Sequence, residues 1–170
     1  MPADPQQSTT TRLLGGALAG VVAGLAASAA MDAFQAGVAA LRPADGSDGD
    51  PATVKAADAL AQATVGHKLA ATDKPLAGQA VHYALGAALG VAYGMAAAVR
   101  PGVTAGHGAA FGLTTATLLD EVAVPAVGLG TAPWQTPLST HAYGVASHLV
   151  FGTVTELVRR QVASGLAPQN

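Results

Sequence analysis

Histidine and carboxylate residues recur inside the apolar segments of this sequence, where ionisable side chains are rare. The residues that form a candidate polar site for protons or cations are His82, His148, Asp32, Asp120, Glu121 and His141. Imidazole and carboxylate groups together can share a proton, bind a cation, or ligate zinc, iron or manganese. Because an ionisable group inside a membrane helix is expensive, its presence favours a functional role over a lipid-facing position.

The spacing between two of these histidines limits the chemistry that one helix can supply. His141 and His148 are separated by six residues, which places both on one helix face, about 10 Å apart along the axis. They cannot both bind one metal ion without ligands from another helix, so the spacing by itself is weak evidence for metal. Proton or cation handling, hydrogen bonds that only hold helices together, and a membrane-embedded metal-dependent enzyme all stay open.

The sequence contains none of the motifs of the familiar hydrolases. A Ser-His-Asp order, a phosphate loop and an HExxH motif are all missing from it. We therefore favour a protein that is not an enzyme. No cofactor is indicated apart from a possible divalent metal at the histidine and carboxylate cluster.

Most of these residues belong to stripes of small residues at four-residue spacing. The four stripes are Gly16-Gly20-Gly24-Ser28-Asp32, Gly78-His82-Gly86-Gly90-Gly94, Gly108-Gly112-Ala116-Asp120 and Gly144-His148-Gly152-Glu156. Residues four apart share a helix face, and small residues there let two helix backbones approach closely, as membrane helices do. The stripes predict an all-α fold, a four-helix transmembrane bundle with small-residue packing.

The composition agrees with a membrane protein. Charged residues make up 11% of the chain and apolar residues 51%, whereas soluble domains carry about 25% charged residues. The formal net charge of −2 and the lack of a basic run exclude a nucleic-acid partner on electrostatic grounds. Without cysteine the chain has no disulfide or thiolate chemistry.

The apolar segments are long enough to cross a bilayer, which takes about 20 residues. We expect a domain at 12–163 between a disordered N-terminal tail at 1–11 and a C-terminal tail at 164–170. Its transmembrane helices are predicted at about 13–41, 76–99, 103–121 and 138–160, with an interfacial helix at about 51–65. A cleaved signal peptide is the alternative for the first segment, because Ala27-Ser28-Ala29 resembles a small-residue cleavage site.

Basic residues at the helix ends indicate the orientation. Two sets of four basic residues would lie on opposite sides of the bundle: Arg12, Arg100, Arg159 and Arg160 on one, and Arg42, Lys55, Lys68 and Lys74, spread among acidic residues, on the other. The counts tie, and the closeness of the first set to the helix ends predicts cytoplasmic termini in a multi-pass protein of the cytoplasmic (inner) membrane. The polar cluster then lies in the outer half, and Glu156 is expected to form an inner-side ion pair with Arg159 or Arg160. The expected partner is the lipid bilayer, with a homo-oligomer or larger membrane complex also possible. A non-catalytic scaffold or interaction module is thus an alternative function.

Three motifs together resemble a known family. They are His82-Tyr83-Ala84-Leu85-Gly86 with Tyr93-Gly94, the run from Asp120-Glu121 to Gly128-Leu129, and Ser147-His148-Leu149-Val150-Phe151-Gly152 followed by Glu156 and Arg159-Arg160. The chain resembles the YagU-like family of small bacterial inner-membrane proteins, a domain of unknown function. The resemblance implies an α-helical integral membrane protein and brings no established catalytic residue.

Overall fold

The computed structural model describes residues 8–41 and 49–166, and every regular element in these two ranges is helical. The α-helices are α1 (Thr9–Leu41), α2 (Ala52–Val65), α3 (Lys74–Val99), α4 (Ala109–Ala116), α5 (Val124–Ala126) and α6 (Leu138–Leu166). They are accompanied by 3-10 segments at Pro101–Gly108 and Pro133–Gln135 and by a π-helical segment at Thr117–Ala123, here called the π segment. The all-α prediction is confirmed for the described residues.

The predicted tails at 1–11 and 164–170 lie mostly outside the described residues. In the part that the structure describes, α1 already begins at Thr9 and α6 continues to Leu166. Both helices therefore extend into the segments that the sequence assigned to tails.

The third apolar segment is less regular than the single helix predicted at 103–121. Gly106, His107 and Gly108 have φ angles of +69°, +54° and +88°, so the regular helix α4 begins only at Ala109. Glycine adopts this left-handed backbone without a steric penalty, and the two glycines therefore allow a break that the apolar pattern conceals. After α4 the chain widens into the π segment.

Two glycine stripes bring α1 and α3 into direct backbone contact. Gly20 and Gly24 of α1 lie against the carbonyl groups of Gly90 and Gly86 in α3, so closely that a Cβ atom at either position would overlap them. Residue numbers rise along one helix as they fall along the other, and the pair is therefore antiparallel. Only glycine permits this separation of the two helices.

A second antiparallel contact joins α4 and the segment before it to α6. Gly108 lies against the carbonyl group of Gly152, and Gly112 lies against the carbonyl group of His148. A small apolar core then forms where α1 meets α6, around the buried side chains of Met31 and Phe151. The helices α1 and α3 thus form one close pair and α4 and α6 form another, and the contact between α1 and α6 joins the two pairs.

The short helix α2 packs on the first part of α3. Val54 and Ala57 are buried, and a Cβ at Gly78 of α3 would lie 2.5 Å from Cγ2 of Val54. Nζ of Lys74 lies 2.6 Å from Oδ2 of Asp50 and 3.1 Å from Oδ2 of Asp58. These contacts attach α2 to the end of the bundle at which α3 begins.

Two of the described helices are long and apolar enough to cross a membrane by length and composition. They are Thr9–Leu41 and Lys74–Val99, whose most apolar windows have a mean hydropathy of 1.9 and 1.3. The other two predicted spans do not meet that criterion among the described residues. A signal sequence near the N-terminus or the core helix of a soluble protein can also meet it.

Candidate functional site

Asp32 near the end of α1 lies beside His82 of α3. Nε2 of His82 is 3.3 Å from Oδ1 of Asp32. Gln79, one turn before His82, donates a hydrogen bond of 2.5 Å from its Nε2 to Oδ2 of Asp32. The close approach of the two glycine stripes allows these short polar side chains to meet across the helix pair.

Two consecutive carboxylates of the π segment each pair with a different histidine of α6. Nε2 of His148 is 3.1 Å from Oδ2 of Asp120, and Nδ1 of His141 is 2.6 Å from Oε1 of Glu121. The other ring nitrogen of His141 lies 3.1 Å from the carbonyl oxygen of Pro133. Each imidazole therefore has its own carboxylate, which fits the two-turn spacing of the histidines along α6.

Both adjacent carboxylates lie in the π segment, and the sequence indicates why the helix widens there. Pro125 lacks the backbone N–H that would bond to the carbonyl of Glu121 in an α-helix, and the turns before it are of the wide π type. Such turns are frequent at functional sites, and the sequence offered only the Asp-Glu-x-x-x-Pro spacing as a signal.

All six candidate residues line one open cavity of about 790 Å³. Further lining residues include Ser28, Ser147, Tyr143, Met31, Leu89 and Phe151. Among the described residues that line it there is no lysine or arginine. The cavity therefore combines three carboxylate–imidazole pairs with hydroxyl groups and an apolar wall.

Several polar atoms around this cavity are buried without a hydrogen-bond partner in the described ranges. They are Oγ of Ser28, Oγ of Ser147, Nδ1 of His148 and Nε2 of His82. Ser28, Ser147 and His148 are 0%, 1% and 8% exposed, and Nε2 of His82 lies 3.3 Å from Asp32 without a hydrogen bond to it. An unsatisfied buried polar group costs about 1–3 kcal/mol, so such groups need an explanation. Neither serine is among the six site residues predicted from the sequence, although Ser28 lies in a stripe between Gly24 and Asp32.

A separate polar cluster surrounds Glu156 at the opposite end of the bundle. Its carboxylate accepts hydrogen bonds from Arg159 at 2.7 and 2.8 Å and from Arg160 at 2.5 Å, and the residue is 1% exposed. The hydroxyl of Tyr93 donates a further hydrogen bond of 2.9 Å. The structure thus brings Glu156 together with both arginines, and it adds Tyr93 to this cluster.

The donor geometry does not favour a metal centre. Within residues 8–41 and 49–166, no group of three or more His, Asp or Glu side chains is arranged so that it could hold one ion. Structural zinc sites have four ligands, and catalytic zinc sites have three protein ligands. The carboxylate–imidazole contacts around the cavity are instead pairs.

Comparison with protein families gives a match to one of unknown function. The model of DUF1440, described as a protein of unknown function, matches residues 54–157. This range contains His82, both carboxylates of the π segment and both histidines of α6, whereas Asp32 lies outside it. Neither a curated protein nor a solved structure matches the chain.

Proposed function

We propose a function for this chain, which belongs to the DUF1440 family of proteins of unknown function, from the chemistry of its cavity. The chain is a small multi-pass membrane protein that handles protons or small cations through the carboxylate–imidazole pairs. The observation that carries this proposal is that three such pairs line one cavity. Membership in the more narrowly named YagU-like group, and a bacterial inner-membrane location, are part of the proposal.

Outward-facing apolar residues support the membrane location. Leu14, Leu18, Val22 and Leu25 of α1 are 62%, 62%, 48% and 39% exposed. Only 33% and 28% of the most apolar windows of α1 and α3 are buried within the chain, unlike the core helices of a soluble protein. A bilayer would cover these surfaces, and we propose that α1, α3, the α4–α5 region and α6 all cross it.

Positions of the basic residues support cytoplasmic termini. The Arg12 guanidinium donates a hydrogen bond to the carbonyl oxygen of Ala98, and Arg159 and Arg160 surround Glu156. Lysine and arginine residues close to the ends of the spans favour their side of the membrane as cytoplasmic, and these three arginines lie at such ends. Because α1 packs along α3 and supplies Asp32, we propose that it is retained and is not a cleaved signal peptide.

The chemical basis for proton handling is the imidazole–carboxylate contact. A histidine changes its charge between pH 5 and 8 more readily than other side chains do, and a neighbouring carboxylate modulates that change. His148 is the central group of the proposal because it is the most buried of the three paired histidines. The cavity is open, so a proton can reach these pairs from solvent.

Proton flux into proteoliposomes tests the proposal. A pH-sensitive dye inside vesicles would report protons that enter when a potassium gradient and valinomycin impose a membrane potential. We expect His148→Ala to abolish the flux and His67→Ala, an exposed histidine outside the cavity, to leave it unchanged. Size-exclusion profiles of both variants in detergent check that they remain folded.

A proton flux that His148→Ala leaves unchanged would refute the proposal. Absent flux in the wild-type chain would instead favour the scaffold alternative. That alternative has to use other surfaces than the central glycine stripes, because Gly20 and Gly24 already pack against α3 inside the chain.

A further inference from the structure

We infer that the cavity also binds a small organic cation, namely a protonated or quaternary amine that carries an apolar group, and that one proton is released when this cation binds. The inference rests on the proposed function, because it uses the same carboxylate–imidazole pairs. It goes further in naming the class of ligand. Four features of the cavity support it: size, charge, the apolar wall and the buried polar atoms.

The size of the cavity exceeds what a proton or a metal ion needs. A monatomic cation with six waters would occupy about 200 Å³, since each water takes about 30 Å³. The cavity of about 790 Å³ instead lies within the range of about 300–1,000 Å³ that is typical of sites for organic ligands. An organic ligand of moderate size therefore matches this volume better than an inorganic ion does.

The charge of the lining selects a cation. Asp32, Asp120 and Glu121 contribute three carboxylates, and no lysine or arginine is found among the described lining residues. With neutral histidines the lining carries three negative charges, and with three protonated histidines it carries none. A positively charged ligand is thus favoured in every protonation state in which at least one histidine is neutral.

The wall between the polar pairs is apolar and partly aromatic. Met31 and Phe151 are 7% and 3% exposed and belong to the small core between α1 and α6. Leu85 and Leu89 of α3 also line the cavity. These side chains can cover the apolar part of a ligand, and the ring of Phe151 can attract its cationic group.

The buried polar atoms supply acceptors for an ammonium group. When Nε2–H of His148 donates to Asp120, Nδ1 carries a lone pair and can only accept. Oγ of Ser28 and Oγ of Ser147 can accept as well. A protonated amine that donates to these atoms would satisfy groups for which the described residues offer no partner, once the side chains turn toward the cavity, since each atom has less than 1 Å² of exposed surface. A quaternary amine has no N–H and would be held by the carboxylates and the apolar wall.

Charge balance couples the cation to a proton. The titratable groups that line the cavity together with His148 are Asp120 and Glu121 of the π segment, Asp32 of α1, His82 of α3, and His141 and Tyr143 of α6. A monocation that binds at a carboxylate neutralises its charge, so the carboxylate no longer stabilises a protonated imidazole beside it. One proton then leaves to solvent for each cation bound, and the net charge of the cavity stays the same.

Calorimetry on the purified full chain in detergent tests the inference with two matched probes. Tetraphenylphosphonium is an apolar cation, and tetraphenylborate is an anion of nearly the same size and shape. Titrations in two buffers of different ionisation enthalpy would count the protons released. We expect the cation to bind with release of about one proton and the anion to bind at least about tenfold more weakly.

Variants then locate the binding. Asp120→Asn, and independently Asp32→Asn from the other helix pair, should each weaken binding of the phosphonium about tenfold or more, because each removes a carboxylate that faces the cation. Asp73→Asn is the matched control, since Asp73 is exposed and does not line the cavity. If one cavity variant fails to fold, the other still decides the outcome.

Equal binding of the phosphonium to wild type and to the folded cavity variants would overturn the inference. Equal binding of the anion would overturn it too. A wild-type chain that binds no phosphonium but supports His148-dependent proton flux in vesicles would overturn the organic-cation inference alone. Loss of both signals would overturn the proposed function as well.

Discussion

Substitution of Gly90 by alanine tests the close packing that positions the whole cavity. A Cβ at this position would overlap the carbonyl oxygen of Gly20 and would lie 2.8 Å from Cα and 2.9 Å from N of Gly24 in α1. All three are backbone atoms, so they cannot rotate away as a side chain could. The contact with Cα of Gly24 alone requires a local separation of about 0.6 Å to reach the ordinary van der Waals distance of 3.4 Å, and the overlap with the Gly20 carbonyl oxygen requires more.

The expected effect on stability follows from this displacement. Overpacking that shifts the backbone in a close-packed interior costs about 1–3 kcal/mol. Alanine also favours the helix over glycine by about 1 kcal/mol, which would partly hide the cost. The control Gly15→Ala shares that propensity gain, and nothing lies within 4 Å of its Cβ. The difference in unfolding free energy between the two variants should therefore be about 1–3 kcal/mol.

Reversible unfolding in mixed detergent micelles, followed by circular dichroism, would measure both variants. We expect Gly90→Ala to unfold at a lower denaturant fraction than wild type and Gly15→Ala to unfold at the same or a higher one. Equal free energies of unfolding for the two alanine variants would refute the close approach of α1 and α3.

Two other contacts give predictions of a different kind. Glu156→Gln should destabilise the chain by about 3–5 kcal/mol, because Arg159 would lose its partner in a buried ion pair. Tyr93→Phe should cost only about 1 kcal/mol, because it removes one hydrogen bond. Chemical unfolding measures both variants, and equal losses of stability would contradict the buried ion pair at Glu156. The hydrogen bond from Lys74 holds the pKa of Asp58 below its ordinary value of 3.8. The contact with α2 should therefore be fully formed above that value and be lost as the pH falls through the lowered pKa, which hydrogen exchange in α2 would show. Protection of α2 that does not change across this range would contradict the contact.

Helix content and the spacing of small residues follow directly from the amino-acid pattern. The four-residue period of glycine predicts helices that carry small residues along one face. This prediction needs no knowledge of the helix that packs against that face. The break at Gly106–Gly108 was not predicted, because glycine is compatible both with an apolar helix and with a left-handed turn. Only two of the described helices meet the length and hydropathy criterion for a membrane span. The arrangement with four transmembrane helices therefore stays a proposal.

The sequence also predicted which ionisable residues form the candidate set, because counting residues along antiparallel helices brings Asp32, His82 and the π-segment carboxylates toward one end. Only the tertiary structure decided which carboxylate meets which histidine. That pairing depends on the register between the helices, which distant glycine contacts set. It also depends on the turn geometry before Pro125, which the missing backbone N–H of the proline affects. The burial of Tyr93 against Glu156 arose in the same way, since two residues 63 positions apart become neighbours only when the helices pack.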